Sequence, residues 1–382
     1  MKAFFASCTA VAALTIFSFS KPQSSAHKPA ERKIQVAILL DVSNSMDGLI
    51  EQAKAQLWNM VTTLGKAQCT DLTNPKVEVA LYEYGRPAND AAKGFVRQLS
   101  SFTNDLDSVS KLLFGIVTNG GDEYCGQVIY TSMDELNWDS SPDNYKVIFI
   151  AGNEDFLQGS LHYTKGCDKA KNKGIIVNTI YCGSYEMGIR EHWNLLGECG
   201  NGSYTNINKD AKEFEIPTPY DSLLIVSNNK LNSTYIGYGA QGTYNITRQT
   251  QVDMMNTSAG FATMEKRVAA KAKSNVYNNA SWDLVDATNA DSIYFRKVDR
   301  KTLPDSLKNK TPEQLQQFVK EKAAERTAVQ NQINTLIADR NKYIATEKTR
   351  LSAANTEPTL ESAVNKILSE QVKRFKMEIK KD

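Results

Sequence analysis

Histidine is nearly absent from this chain. Its 382 residues hold three, His27, His162 and His192, scattered along the sequence. No C-x-x-C occurs, so a zinc site of the Cys/His kind is disfavoured. No G-x-x-x-x-G-K-[ST] occurs, which speaks against a phosphate-cradling ATPase. Charge of one sign is also lacking: the formal net charge is +2, too small to argue for nucleic acid or for an anionic membrane surface. The N-terminal apolar run, Ala3 to Phe19, falls short of the roughly 20 residues that a comfortable membrane span needs. It follows Lys2 and is trailed by Ser18, Ser20, Ser24 and Ala26. That pattern predicts a secretory signal peptide within residues 1–26, cut after Ser20 or Ala26, and a protein exported to the periplasm or the exterior. Association with a membrane surface by other means stays open.

Cysteine is scarce as well. Once Cys8 leaves with the signal peptide, Cys69, Cys125, Cys167, Cys182 and Cys199 remain. An oxidising compartment allows disulfides, and an odd count leaves at least one thiol unpaired. Cys182 ends the apolar run GIIVNTIYC and reads as a buried, unpaired core residue. Sequence does not fix the pairing of the other four.

What is present is an ordinary globular composition, 41% apolar and 23% charged. Between residues 33 and 230, apolar runs alternate with amphipathic stretches. IQVAILLD (34–41), YKVIFIAG (145–152) and IIVNTIYCG (175–183) read as strands buried on both faces. VEVALYEYG (77–85) and GFVRQL (94–99) read as a hairpin across RPAND, and GSYTNIN as the last strand. Between them LIEQAKAQLWNMVTTL (49–64), NDLDSVSKLLFGI with an Asn104 cap, GQVIYTSMDELNW, YTKGCDKAKNKG and YEMGIREHWNLLGECG have helical spacing. YDSLLIVSNNKLNSTYI closes the series. The expected fold class is α/β: a doubly wound, mostly parallel sheet between helix layers. Ligands of such sheets bind beyond the carboxyl ends of the strands.

Residues 235–382 change character and predict a mainly helical C-terminal region with long amphipathic, coiled helices. SAGFATMEKRVAAKAKS is one helix. Thr311, Pro312 and Gln314 open another with a capping box. LESAVNKILSEQVKRFKMEI carries one apolar stripe, from Leu360 through Val364, Ile367, Leu368, Val372 and Phe375 to Ile379. Such a stripe packs on its own domain or supports self-association, and the basic residues around Lys373 and Arg374 read as a solvated face.

The stretch VAILLDVSNSM, Val36 to Met46, concentrates the chemistry. A buried strand ends in Asp41, Ser43 and Ser45, a carboxylate and two hydroxyls at alternate positions. Oxygen donors of this kind suit a hard divalent cation, Mg²⁺ or equally Mn²⁺ or Ca²⁺, that keeps a coordination position free.

This D-x-S-x-S, placed after VAILL and before an amphipathic helix, resembles the metal-ion-dependent adhesion site (MIDAS) of von Willebrand factor type A (VWA) domains. The resemblance covers roughly residues 33–230. It implies further ligands from two later loops. In TNGGDEYCG the first candidate is Asp122 and the second Thr118. In IFIAGNEDF, Ala151 and Gly152 stand where the family has Thr and Asp, so Asn153, Glu154 or Asp155 would substitute, Glu154 first. TIYCG, YNNASWDLVDA and LPDSLKNKTPEQL are further similar to bacterial exported proteins that join a VWA domain to a helical C-terminal region. The resemblance implies a non-enzymatic, metal-dependent adhesion or complex-assembly module whose protein or peptide partner offers a carboxylate. A second reading is an envelope scaffold that associates through its C-terminal helices and has a vestigial metal site. A third, a metal-assisted hydrolase, would need a base for Ser43 or Ser45, and only His162 could approach the same rim.

Overall fold

In the computed structural model, which describes residues 32–211, 215–350 and 359–380, the run IQVAILLD forms the central strand of the sheet. The signal-peptide expectation at residues 1–26 lies outside the described residues. In chain order the strands are β1 (Lys33–Asp41), β2 (Ala67–Cys69), β3 (Lys76–Tyr84), β4 (Arg97–Thr103), β5 (Tyr145–Gly152), β6 (Ile176–Cys182), β7 (Tyr204–Ile207) and β8 (Met377–Ile379). The main sheet runs β4-β3-β1-β5-β6-β7. All its pairings are parallel except β3 with β4, which is antiparallel. β2 and β8 form a separate antiparallel pair.

Parallel neighbours on both sides explain why β1 is apolar from Val36 to Leu40. Its side chains alternate: Ile34, Val36 and Leu40 join the core on one face, Ala37 and Leu39 the core on the other. The first face is covered by α1 (Asp47–Gly65) and α2 (Leu106–Phe114), which bury Leu57, Val61 and Val109 there. The second is covered by α3 (Cys125–Glu135), α4 (Tyr163–Lys173), the short α5 (Tyr185–Arg190) and α6 (Trp193–Cys199), with Val128, Ala170 and Trp193 in that core. A disulfide, Cys167–Cys199, ties α4 to α6. Cys69, Cys125 and Cys182 are free and buried, so Cys182 is the core thiol that its apolar run predicts.

Seven α-helices follow among the described residues: α7 (Asp221–Asn232), α8 (Gly242–Ser258), α9 (Phe261–Lys271), α10 (Leu284–Ala290), α11 (Tyr294–Lys297), α12 (Asp305–Lys308) and the long α13 (Pro312–Arg350). They enclose two cores of their own, one around Leu284, Phe295 and Leu315, the other around Leu224, Val268, Trp282 and Ile333. The chain then returns to the sheet. α14 (Leu360–Gln371) places Leu360, Val364, Ile367 and Leu368 in the first-face core beside Val36 and Val61. Gln371 is buried there, accepting from the Tyr145 hydroxyl at 2.8 Å and donating to Asn178 at 2.7 Å. The helical series α7–α13 therefore sits, in chain order, between the last strand of the sheet and one of the helices that cover it.

Three local expectations change. α2 is capped by Asp105, which accepts from Ser108 N at 3.2 Å, not by Asn104. YEMGIREHWNLLGECG makes two helices because His192 adopts φ +65° between them. The stripe from Leu360 to Ile379 is not one helix: after Gln371 a 3₁₀ turn leads to Lys376 at φ +56°, and Met377–Ile379 pair with Ala67–Cys69. α8 is held by its packing on α2 and α9, which buries Arg248, Gln249, Val252 and Asp253. The expected capping box is present, with Gln314 N donating to Thr311 Oγ1 at 3.2 Å and Thr311 N to Gln314 Oε1 at 2.9 Å.

Candidate metal centre

Asp41 is the last residue of β1 and fully buried. Beyond it the backbone bends at once: Ser43 N donates to Asp41 Oδ1 at 2.8 Å, and Met46 N to Ser43 O at 3.0 Å. This Asx turn brings the alternate side chains of D-x-S-x-S to one place. The Ser43 and Ser45 hydroxyls lie 3.5 Å apart, and Ser45 Oγ donates to Asn153 Oδ1, from the loop after β5, at 3.3 Å. The segment between α2 and α3 is held against the strand exit by Asn119 N, which donates to Val42 O at 2.8 Å. Three loops thus meet at the carboxyl rim of the sheet.

That middle segment contributes Glu123, which sequence reasoning passed over. It is 5% exposed, and its carboxyl lies against both the Asp41 carboxyl and the Ser43 side chain. Burial, then the neighbouring Asp41 carboxylate, pushes Glu123 up to about 9. Burial pushes Asp41 up to about 6 against the pull of the Ser43 backbone N–H. One oxygen of each carboxyl, Asp41 Oδ2 and Glu123 Oε2, is buried without a hydrogen-bond partner. Two glycines make room for the pair. A Cβ at Gly85, whose φ is +85°, would come within 2.9 Å of Glu123 Cγ and 3.0 Å of Asp41 Oδ1. One at Gly152 would come within 3.1 Å of Asp41 Oδ2.

The other candidates are dispersed around this cluster. Asp122 is exposed and accepts from the Tyr124 hydroxyl at 3.2 Å. Thr118 donates to Asp47 at the start of α1. Glu154 is exposed, its backbone O accepts from Trp193 Nε1 at 2.8 Å, and its charge raises both Asp41 and Glu123. Asp155 is taken up by His192 Nδ1 at 3.0 Å. One signal separates Glu123 from Asp122. Glu123 stands two residues before Cys125, which begins the buried stripe of α3, and Tyr124 between them, at φ −87° and ψ 81°, centres a tight turn in which Cys125 N donates to Glu123 O at 3.1 Å.

The donor set fits a hard divalent cation: two carboxyls, two hydroxyls and an amide oxygen, with no sulfur or imidazole. Two orphaned buried carboxyl oxygens are the feature that such an ion would satisfy. No group of three or more His, Cys, Asp or Glu placed to hold a metal occurs among the described residues. The histidine that sequence offered as a base is engaged elsewhere, His162 Nδ1 lying 2.9 Å from Thr164 Oγ1 at the start of α4.

No protein-family profile matches the chain, and no curated protein matches it. Solved structures do align. An aerotolerance-related membrane protein from Bacteroides fragilis is 16% identical, with TM-score 0.33, over 46% of this chain and 93% of that one. A von Willebrand factor type A protein from Catenulispora acidiphila is 11% identical, TM-score 0.35, over 46% and 39%. Proximal thread matrix protein 1 from the mussel byssus, solved with a zinc-occupied MIDAS motif, is 10% identical, TM-score 0.35, over 46% and 42%. This chain thus spans less than half of the latter two. With its strand order, its single antiparallel edge strand, helices on both faces and D-x-S-x-S at the exit of the central strand, the protein has a VWA-like α/β fold.

Proposed function

We propose that this protein is an exported, divalent-cation-dependent protein-interaction module, with the ion at the strand-end rim. The observation that carries this is the buried pair of orphaned oxygens, Asp41 Oδ2 and Glu123 Oε2, beside the Ser43 and Ser45 hydroxyls. Asp41, Ser43, Ser45 and Glu123 would hold the ion, with Glu123 in the role that sequence gave to Asp122, and Glu154 and Thr118 around it. Mg²⁺, Mn²⁺ and Ca²⁺ all suit such donors. When bound, the ion would supply an open coordination position for an oxygen of a partner protein; a partner carboxylate is what the motif by itself implies. The residues otherwise orient and exclude: the Asx turn fixes Ser43, and the buried carboxyls keep water from one side of the site. On this reading the role is non-catalytic; the described partners of the Ser43 and Ser45 hydroxyls are a carboxyl, an amide and each other.

Calorimetric titration of Mg²⁺, Mn²⁺ and Ca²⁺ into the full chain tests the reading. Saturable binding that is lost in Asp41→Ala is expected. A folded wild type that takes up none of the three would sink it.

A further inference from the structure

A D-x-S-x-S site with neutral neighbours presents one carboxylate and two hydroxyls to a dication. The loaded site then keeps about one unit of positive charge, which is what draws a partner's carboxylate. The rim described above has a different charge count. Glu123 is buried against Asp41, with one oxygen of each carboxyl unpartnered, and neither makes an ion pair with a described residue. The nearby guanidiniums of Arg86 and Arg97 are committed to Glu83, at 3.4 and 3.0 Å. The space that Gly85 leaves is filled by these carboxyls, that of Gly152 by the Tyr84 hydroxyl and the Asp41 carboxyl, and neither has room for a further side chain. Glu154 adds a third negative group within electrostatic reach.

Building on the divalent-cation reading, we propose that Asp41 and Glu123 hold the ion jointly, so that the loaded rim is electrically neutral. It then recognises an uncharged oxygen, an amide carbonyl or a hydroxyl, on its partner protein in preference to a carboxylate. Two carboxylates balance a dication, and an incoming carboxylate would meet Glu154 with no surplus positive charge to offset the repulsion. A neutral carbonyl completes the shell of a hard cation without that cost. The same count ties the ion more firmly, since affinity of oxygen sites rises with the number of ligand charges.

The test uses the full chain and Mn²⁺. Calorimetry gives Mn²⁺ affinity for wild type and Glu123→Gln, and proton relaxation of acetate and acetamide by the bound Mn²⁺ reports which oxygen reaches it. Glu123→Gln should lose at least about tenfold in Mn²⁺ affinity. Mn²⁺ on the wild type should relax acetamide at least as strongly as acetate, and on Glu123→Gln the order should reverse. Unchanged affinity in Glu123→Gln, or acetate favoured by the wild type, overturns the neutral-rim inference and leaves the cation reading standing. Absence of Mn²⁺ binding to folded wild type overturns both. Circular dichroism in chelator checks the variant's fold. Glu123→Asp, which keeps the charge, should retain the wild-type preference, and acetate favoured there would also overturn the inference.

Discussion

Where α2 meets α8 and α9, Asp107 and Asp253 are buried beside Arg267 and Lys271; at the sheet rim, Asp41 and Glu123 are buried beside each other. In the first cluster every charge has an answer. Arg267 reaches Asp107 at 2.6 Å and Asp253 at 2.9 Å, Lys271 reaches Asp253 at 2.8 Å, and Tyr277 donates to Asp107 at 2.6 Å. Burial by itself would push Asp253 up, but Lys271 and Arg267 outweigh it and hold the carboxyl well below its usual range. At the rim the burial is comparable and no cation among the described residues answers it, so both carboxyls are pushed up. A buried acid with a fixed partner is a structural joint, here between the sheet's helices and the helical region. A buried acid without one is a place kept for something that arrives from outside.

The sharpest way to break this contrast is to remove a partner from the answered cluster. Arg267→Met leaves Asp107 without a cation and Asp253 with Lys271 alone, and should cost about 3–5 kcal/mol in urea unfolding. The matching change at the rim should act with the opposite sign. In chelator, Glu123→Gln removes a buried carboxyl that folding must protonate at neutral pH and is expected to stabilise the fold by about 1–3 kcal/mol, while the added stability that Mn²⁺ gives the wild type disappears.

The two clusters should also respond oppositely to pH. A raised acid is favoured protonated in the folded state, so the rim pair's penalty grows as pH rises from the unfolded values of 3.8 and 4.5 to the folded values of about 6 and about 9. In chelator, stability should therefore rise on acidification through that window. Asp253 is lowered, so its contribution is present above its unfolded value of 3.8 and is lost as pH falls below it. Its share is on the order of 1–2 kcal/mol. Urea unfolding across pH should peak between the two ranges, and Glu123→Gln should flatten the alkaline side only. The smallest effect belongs to Ser45, exposed at the rim. Ser45→Ala should leave unfolding within about 0.5 kcal/mol and still lower Mn²⁺ affinity by calorimetry.

The sheet was legible because parallel strands bury both faces and so write continuous apolar runs; IQVAILLD, YKVIFIAG and IIVNTIYC became β1, β5 and β6. The exit of β1 was legible for the same reason, since an aspartate at the end of such a run has no place in the core unless the chain turns there. Glu123 was harder to see. In GGDEYCG two acids stand side by side, and their spacing does not show the tight turn at Tyr124, with Cys125 N donating to Glu123 O, that leads from Glu123 into the buried start of α3. The amphipathic stripe at Leu360 was legible as a stripe, but its period says nothing about which core it enters. Its end was hidden too, because Phe375 and Ile379 keep an apolar rhythm through a 3₁₀ turn and a short strand.

That stripe has a consequence for how the molecule is made. About 150 residues separate β7 from α14, yet α14 covers the same face of the sheet as α1. At roughly 5–20 residues per second, a ribosome needs roughly 8–30 s to travel from one to the other. For that interval Val36, Tyr145 and Ile176 lack part of their cover, and the polar sites of Tyr145 and Asn178 lack the amide of Gln371. The N-terminal half of the fold is thus completed last. A stop codon far downstream of the rim would injure the rim's own scaffold, and the nascent chain has an apolar face to offer a chaperone until its final helix emerges.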